Sequence, residues 1–248
     1  MIEIDELTFR YSKALPEVLK GIRATIPSGS FTAIMGSNGS GKSTFARCLN
    51  GLLIPTSGEV RIDGLSTINV TSIRDVRRKL GLVFQDPNLQ MTSATVEREL
   101  AFGLENLCLA RDEMQTRVDQ YLREFGFEER RDDPPSSLSA GERQRLAVAS
   151  VLILNPTHLI LDESTSLLSA RSRKELLDLV IALHRQREIA LVLITQYPSE
   201  ALLAERLLVL HVGRIVFDDQ PAKVFQHGEE LFRMGVSIPI YAQMKLAV

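Results

Sequence analysis

A glycine-rich stretch in the N-terminal part of the chain carries the residue types needed to bind phosphate: Gly36-Ser37-Asn38-Gly39-Ser40-Gly41-Lys42-Ser43-Thr44. It fits the pattern G-x-x-x-x-G-K-[ST], in which glycines let the backbone curl so that its N–H groups point at phosphate oxygens. In such a loop the amino group of Lys42 reaches the β- and γ-phosphates, and the hydroxyl of Ser43 ligates Mg²⁺. A chance glycine turn before a helix is the alternative, so the flanking elements must decide.

The segments on both sides of this loop have the character that the motif requires. Phe31-Thr32-Ala33-Ile34-Met35 is short and apolar, as in a buried strand, and Thr44 to Leu49 contains no helix breaker. A helix that begins near Lys42 adds the positive end of its dipole to the loop. Strand, glycine loop and helix together predict a nucleotide phosphate-binding site.

A second candidate for chemistry lies much later in the chain, where the apolar run His158-Leu159-Ile160-Leu161 ends in Asp162-Glu163. A carboxylate at a strand end can hold Mg²⁺ through water, which is the role expected of Asp162. Glu163 is then placed to polarise a water molecule for attack on the γ-phosphate. An apolar strand that ends in two acids is also common as a plain turn, but its position after a P-loop favours nucleotide hydrolysis.

The overall composition excludes several other classes of protein. The 248 residues suffice for one domain with a subdomain, and a net charge of −2 gives no reason to expect nucleic-acid binding. Two cysteines, Cys48 and Cys108, argue against a disulfide framework. The acidic start does not resemble a signal peptide, and no apolar run has the length of a transmembrane helix. We therefore expect no direct membrane span.

Apolar runs alternate with helical patterns along most of the chain, which predicts parallel strands in an α/β fold. Strands are expected at residues 2–10, 18–26, 31–35, 59–64, 80–84, 158–162, 189–195, 206–211 and 214–218, and helices at 44–49, 74–79, 142–154 and 171–184. Between about 92 and 137 the pattern is helical, with one helix ending near Gly103 and another before Gly126. The second of these helices is expected to pack through Met114, Val118, Tyr121, Leu122 and Phe125.

The stretch Leu138-Ser139-Ala140-Gly141-Glu142 can form a second anion-binding helix start, with a hydroxyl and free backbone N–H groups. By itself it is an N-cap at Ser139, with Glu142 closing a capping box. The stretch resembles the signature motif of ATP-binding-cassette (ABC) ATPases, usually L-S-G-G-Q. The order of motifs agrees with that family too: the P-loop, Gln85 after a strand, the signature and Asp162-Glu163.

Two further stretches narrow the resemblance to one subgroup of the ABC ATPases. Val83-Phe84-Gln85-Asp86-Pro87 and Ala101-Phe102-Gly103-Leu104-Glu105-Asn106 are similar to V-F-Q-D-P and A-F-G-x-E-N in the ATPases of energy-coupling-factor importers, which take up cobalt, nickel and vitamins. The resemblance covers roughly residues 1–225. Tyr11 matches the aromatic residue on which such enzymes stack adenine, although a half-buried aromatic of a sheet is an alternative interpretation.

The resemblance implies a P-loop NTPase α/β core with an N-terminal antiparallel β-subdomain and a helical insertion at about 92–137. One ABC ATPase domain over 1–225 is expected, followed by a short C-terminal tail over 226–248. ATP and Mg²⁺ are the implied cofactors, and the metal ligands are expected to be Ser43, Gln85 and Asp162. The family also pairs head to tail with a second ABC ATPase, as a homodimer or heterodimer, so that each ATP lies between one P-loop and the partner's signature, here Ser139 and Gly141.

By the same resemblance, the region of Gln85 and the helical insertion receive the coupling helices of a transmembrane subunit. A separate membrane subunit binds the transported substrate, and the ATPase is peripheral on the cytoplasmic face of the cell membrane. ABC proteins of DNA repair or of the ribosome carry a long coiled coil or two cassettes, and this sequence shows neither. An ATPase of another ABC transporter subfamily and a regulatory subunit with little turnover are the alternatives.

Several positions depart from the family pattern. Gln196 stands where a catalytic switch histidine is expected, and it can offer the γ-phosphate only a neutral hydrogen bond. Ser169 replaces an Asp after the acidic strand, Ser164 replaces a Pro, and Ala140 and Glu142 replace Gly and Gln of the signature. We therefore expect slow hydrolysis at this chain's own site and a heterodimer whose partner carries the more complete set. A homodimer that tolerates Gln196 is the alternative.

Overall fold

The computed structural model describes residues 1–107 and 109–240; Cys108 and residues 241–248, the end of the expected tail, lie outside these ranges. The strands are Ile2–Phe9 (β1), Leu19–Ile26 (β2), Phe31–Met35 (β3), Ser57–Ile62 (β4), Leu65–Ser66 (β5), Leu80–Val83 (β6), His158–Asp162 (β7), Ala190–Ile194 (β8), Arg206–His211 (β9) and Arg214–Asp219 (β10). The helices are Lys42–Leu49 (α1), Ile73–Lys79 (α2), Val96–Glu105 (α3), Arg111–Glu124 (α4), Ala140–Leu152 (α5), Ala170–Arg187 (α6), Pro198–Ala201 (α7), Pro221–Val224 (α8) and Gly228–Arg233 (α9).

Two β-sheets organise these elements. The first is antiparallel, in the order β2-β1-β4-β5, and the second has six strands in the order β10-β9-β3-β8-β7-β6. In the second sheet β3 pairs in parallel with β8 and β9, and β7 pairs in parallel with β6 and β8. Strand β10 is an antiparallel edge strand. The predicted α/β core with an N-terminal antiparallel β-subdomain is confirmed.

The strand pairing brings the motif-bearing segments to one edge of the larger sheet. Ile34 of β3 and Asp162 of β7 both pair with Ile194 of β8. Parallel strands end at the same edge of a sheet, so the P-loop after β3, Glu163 after β7 and Gln196 after β8 lie close together. The site is therefore assembled from segments that are far apart in the sequence.

Strands β3, β6, β7 and β8 are buried along their whole length because both faces of the sheet are covered. Along β8 the side chains alternate between the two faces. Leu191 and Leu193 belong to the core shared with the helical side, whereas Val192 and Ile194 belong to the core shared with α1 and the antiparallel sheet. The larger sheet thus separates two hydrophobic cores and holds the site at their common edge.

The helical insertion contains α3 and α4, and α3 packs against both α4 and α5. The packing residues Val118, Tyr121, Leu122 and Phe125 are buried, and the hydroxyl of Tyr121 donates a hydrogen bond to the Leu152 carbonyl at 2.7 Å. The first predicted helix ends at Glu105, close to Gly103 as expected. A Cβ at position 103 would lie 2.9 Å from the Leu154 side chain, so the glycine serves close packing rather than a helix end.

Two short helices, α8 and α9, follow the larger sheet. They place Val224 and Leu231 in the same core as the helical insertion, and Val236 and Ile238 are buried there as well. Helices of four and six residues are too short to show a helical period in the sequence, which is why neither was predicted. Within the described ranges, no helix is long and apolar enough to cross a membrane.

A charged cluster joins the two sheets at the end of β7 that lies away from the site. His158 Nε2 lies 3.0 Å from Asp63 Oδ1, and the amino group of Met1 and Lys79 Nζ also pair with Asp63. Burial lowers the pKa of His158. Burial also opposes ionisation of Asp63, but its hydrogen bonds with Met1, His158 and Lys79 outweigh this and hold its pKa well below the ordinary value. The cluster therefore stabilises the fold near neutral pH.

Candidate active site

The P-loop presents the uncapped start of a helix. Helix α1 begins at Lys42, its N-cap residue Gly41 has a φ of 106°, and no side chain caps it. This backbone conformation favours glycine, and the first N–H groups of α1 are left for an anionic ligand. The loop also needs Gly36, where a Cβ would lie 2.2 Å from the Leu210 carbonyl oxygen. Ser40 Oγ is buried and makes no hydrogen bond with the described residues. These features fit a phosphate cradle.

The side chain of Lys42 is only 4% exposed and lies against the P-loop backbone. Its Nζ donates to the Gly36 carbonyl at 2.9 Å and to the Ser37 carbonyl at 3.2 Å, and it lies 3.2 Å from Glu163 Oε1. A buried ammonium group needs such partners because its charge is costly away from water. Lys42 therefore connects the P-loop to the acidic end of β7.

Two of the three expected magnesium ligands, Ser43 and Asp162, meet beside the P-loop. Ser43 Oγ donates to Asp162 Oδ1 at 3.1 Å, and Gln85 follows the neighbouring strand β6, with its Nε2 donating to Ser166 Oγ at 3.1 Å. Burial raises the pKa of Asp162, an effect that the hydrogen bond from Ser43 opposes. Magnesium sites typically combine one or two protein carboxylates with phosphate oxygens and water. A hydroxyl, a carboxylate and an amide oxygen on this chain fit that requirement.

Glu163 has an unusual backbone for a residue with a side chain. Its φ is 50°, in the left-handed region, and its N–H donates to the Ile194 carbonyl at 3.0 Å. Strain of this kind costs about 1–3 kcal/mol and tends to occur at functional sites. The carboxylate has two partners: Oε1 faces Lys42, and Oε2 accepts a hydrogen bond from Gln196 Nε2 at 2.7 Å. The carboxylate is thus held on the P-loop side of β7, where it can act as a general base.

Gln196 bridges the base and the P-loop. Besides Glu163, its Nε2 donates to Asn38 Oδ1 at 3.1 Å. A glutamine amide carries two N–H groups, so both bonds can form at once. The structure therefore brings Gln196 to the position predicted for it, beside Glu163 and the P-loop, but without the positive charge that a protonated histidine would carry.

A cleft of about 450 Å³ runs along the P-loop to Tyr11. Tyr11 is 54% exposed, and its hydroxyl lies 3.0 Å from Thr44 Oγ1. Its ring packs edge-on against Phe9, which fixes the ring while leaving it exposed. An exposed, fixed aromatic face suits the stacking of a planar base. The other residues lining the cleft are Val18, Asn38, Gly39, Gly41, Lys42, Ser43 and Glu163.

The signature residues lie in a different cleft. Ser139 caps α5: its Oγ accepts the Glu142 N–H at 3.3 Å, and its own N–H donates to the Glu142 carboxylate at 2.8 Å, which is the expected capping box. Ser139 and Gly141 line a cleft of about 640 Å³ together with Arg145 and Arg171. This cleft and the P-loop cleft share no lining residue. One chain therefore does not bring the signature to its own P-loop.

Comparison with known proteins agrees with this geometry. Residues 19–166 match the family model of ABC transporters. Over 245 residues the chain is 41% identical to the energy-coupling factor transporter ATP-binding protein EcfA1 of Ligilactobacillus salivarius, covering 99% of this chain and 86% of the relative. The chain belongs to the energy-coupling-factor ABC ATPases. This ATPase is also 40% identical over 248 residues to EcfA1 of Levilactobacillus brevis, covering 100% of this chain and 88% of the relative.

Solved structures show the same fold for this ATPase. The cbiO1 protein from Clostridium perfringens, part of the ABC transporter complex cbiONQ, is 33% identical with a TM-score of 0.84 over 98% of both chains. A dimeric ATP-binding cassette bound to ADP and Pi is 27% identical with a TM-score of 0.80, over 89% of this chain and 99% of the other. The predicted fold, ATP binding and ATPase activity are confirmed. The chain is the ATP-binding subunit of an energy-coupling-factor transporter, and it hydrolyses ATP.

Ser169 and Ser164, two of the positions at which this ATPase departs from the family pattern, differ in their contacts. Ser169 is the N-cap of α6 and accepts the Ser172 N–H at 3.2 Å, a role that Asp also fills well. Ser166, in the same loop, donates to the Glu163 carbonyl at 2.7 Å. Ser164 is buried, and its Oγ makes no hydrogen bond with the described residues. The loop between β7 and α6 is thus held by serine hydroxyls at both ends.

Sequence reasoning missed a buried network beside the ATPase site. Glu200, shortly after Gln196, accepts hydrogen bonds from the hydroxyls of Thr165 and Thr195 and faces Arg173. The available signal is an acidic residue followed directly by the apolar run Ala201-Leu202-Leu203. That signal does not reveal its partners, because they lie on other segments of the chain.

Proposed function

We propose that this ATPase pairs head to tail with a second ABC ATPase, so that each ATP is held between one chain's P-loop cleft and the other chain's signature cleft. The observation that carries the proposal is the separation of Ser139 and Gly141 from the P-loop cleft within one chain. The hydroxyl of Ser139 and the N-terminus of α5 suit a phosphate group. The dimeric state of the solved relative bound to ADP and Pi supports this arrangement.

Different side chains of this ATPase bind different parts of the nucleotide. Tyr11 stacks the adenine base, and Lys42 neutralises charge on the β- and γ-phosphates together with the N–H groups of α1. Ser43, Gln85 and Asp162 would hold Mg²⁺, which would supply positive charge to offset the phosphate oxygens during hydrolysis.

Glu163 serves as the general base for hydrolysis and accepts a proton from the attacking water. Gln196 donates a hydrogen bond to the γ-phosphate. A charge-assisted hydrogen bond is about twice as strong as a neutral one, so this chain's own site turns over slowly and a better-equipped partner carries most of the hydrolysis. The 2.7 Å bond between Gln196 and Glu163 also favours a second candidate, a regulatory subunit that binds ATP with little turnover, because it occupies the base.

The membrane partners dock near Gln85 and the helical insertion. Leu89 and Phe102 are 74% and 52% exposed there, an arrangement of large apolar side chains that fits a helix from a transmembrane subunit. Dimer closing and opening then drives uptake of a metal ion or a vitamin, which a separate membrane subunit binds. The ATPase is peripheral on the cytoplasmic face of the cell membrane.

A mixing experiment tests the head-to-tail pairing. Lys42→Ala and Ser139→Ala are each expected to abolish turnover of Mg-ATP. In a mixture, a dimer with one chain of each variant has one intact composite site, formed by the P-loop of the Ser139→Ala chain and the signature of the Lys42→Ala chain. Random pairing then restores about a quarter of the wild-type rate. Lys42→Ala mixed with Glu163→Gln is the matched control, because both changes lie in P-loop clefts and no intact site forms. No recovery in the first mixture would refute the composite site.

The ATPase rate of the wild-type chain by itself tests whether its own site is weakened. Slow turnover that Gln196→His raises supports a weakened site and a heterodimer, and the mixing experiment is then run in the Gln196→His background. Brisk, cooperative hydrolysis by the wild-type chain alone would refute the weakened site and support a homodimer.

A further inference from the structure

A buried carboxylate outside the nucleotide cleft links the two loops that carry the base and the switch residue. Glu200 is 2% exposed, and its Oε2 accepts hydrogen bonds from Thr165 Oγ1 at 3.0 Å and from Thr195 Oγ1. Thr165 lies in the loop that begins with Glu163, and Thr195 directly precedes Gln196. One oxygen atom thus joins the end of β7 to the end of β8.

The other oxygen of Glu200 faces a cation. Arg173 Nε on α6 lies 3.6 Å from Oε1, and the Arg173 guanidinium lies over the ring of Tyr197 at 3.5 Å from its centroid. Arg173 also donates through Nη2 to the Leu168 carbonyl at 3.4 Å, in the loop that leads from Glu163 to α6. Glu200 therefore contacts both loops through the two threonine hydroxyls, and Arg173 contacts the first of these loops and lies beside the second oxygen of Glu200.

The arrangement needs a carboxylate of this length. Two hydroxyls donate to a single oxygen, which leaves the second oxygen for Arg173. Glutamine would retain the shape but would turn an N–H₂ group toward either the guanidinium or a donating hydroxyl. Burial raises the pKa of Glu200, and the hydrogen bonds from Thr195 and Thr165 and the nearby Arg173 oppose this effect.

We propose that Glu200 is a positioning residue for ATP hydrolysis: through Thr165 and Thr195 it sets the placement of Glu163 relative to Gln196. Glu200 does not line the P-loop cleft, so it acts through other residues. The inference rests on the proposed roles of Glu163 as base and Gln196 as γ-phosphate donor. According to this inference, Glu200 affects the rate of ATP hydrolysis but not the affinity for ATP.

The test compares Glu200→Gln with the wild type for kcat, KM and ATP affinity in the assembled transporter. Displacement of a catalytic group by about 1 Å can cost up to about a hundredfold in rate, so kcat should fall at least about tenfold while the Kd for ATP changes less than about twofold. Thr165→Val removes one of the two hydroxyls, and combined with Glu200→Gln it should add little further loss, because both changes disrupt one network. Glu200→Asp keeps the charge and should recover part of the rate.

Tyr121→Phe separates a positioning role from a general loss of stability. It removes the hydrogen bond to the Leu152 carbonyl and the one that Arg187 donates to the Tyr121 hydroxyl, neither of which involves Glu200, Thr165 or Thr195, and it is expected to lower the unfolding midpoint without changing kcat. Wild-type kcat in Glu200→Gln would overturn the proposal, as would equal losses of kcat in Glu200→Gln and Tyr121→Phe at matched unfolding midpoints. Glu163→Gln is measured alongside: undiminished turnover there would refute the proposed base itself, whereas its inactivity with normal Glu200→Gln turnover would refute only the positioning role.

Discussion

We expect Glu163→Gln to tighten the binding of ATP while it abolishes hydrolysis. Glu163 Oε1 lies 3.2 Å from Lys42 Nζ, and the two side chains are 10% and 4% exposed. The phosphates of ATP must therefore compete with Glu163 for the Lys42 ammonium. Glutamine keeps the size of the side chain and can still accept a hydrogen bond from Gln196, but it no longer competes with a negative charge.

The size of the expected change in ATP affinity follows from the contact between Glu163 and Lys42. Charged groups in direct contact typically show coupling free energies of about 1–2 kcal/mol in double-mutant cycles. Releasing Lys42 should lower the Kd for ATP by about five- to thirtyfold, since 1.4 kcal/mol corresponds to about tenfold. The assay is equilibrium titration with ATP in the presence of EDTA, so that neither hydrolysis nor the metal ligands contribute.

A double-mutant cycle isolates the competition from a general charge effect. In a Lys42→Met background, Glu163→Gln should improve ATP affinity far less, because no ammonium is left to release. Glu229→Gln is the matched control: it makes the same chemical change on α9, where Glu229 is exposed and pairs with Arg233, and should leave the Kd unchanged. The same improvement with and without Lys42, or none in Glu163→Gln, would show that Lys42 is not the shared partner.

Three further outcomes are expected. Tyr11→Ala removes the stacking on the base, so it should weaken ATP binding about five- to tenfold but leave binding of tripolyphosphate unchanged. Tyr11→Phe keeps an aromatic ring and should retain ATP affinity. Gly36→Ala should lower the free energy of unfolding by about 1–3 kcal/mol and abolish ATP binding, because its Cβ would lie 2.2 Å from the Leu210 carbonyl oxygen; normal binding would contradict the close approach. The lowered pKa of His158 means that the unfolded chain takes up a proton more readily than the folded one, so stability should fall as pH drops below about 6.5, whereas Asp63 contributes stability that is lost only at lower pH. Urea midpoints between pH 7.5 and 5.5 should show this slope in the wild type and a smaller one in His158→Gln.

The elements with a strong local pattern could be predicted from the sequence. Residues 31–35 and 158–162 are strands with the predicted bounds, because short apolar runs next to glycine or acidic residues are buried in a parallel sheet. The helix expected to end near Gly103 ends at Glu105, but the close packing of Leu154 against that glycine is a tertiary contact that the sequence does not show. Helices α8 and α9 have too few residues to show a period.

The residue types at the site could also be found locally. The P-loop pattern identifies Lys42 and Ser43, and the end of an apolar strand identifies Asp162 and Glu163. Glu200 could not be identified in this way, because its two hydroxyl partners lie on loops that follow different strands.

The sequence by itself determined which side chains stand at the ends of the strands, because a motif and its flanking elements are local. Only the tertiary structure decided which of these side chains meet. The strand order β3-β8-β7 places Gln196 between Asn38 and Glu163, and the same fold keeps Ser139 and Gly141 in a separate cleft. The physical reason is that strand order arises from long-range pairing and from the burial of both sheet faces, which depend on the whole chain at once.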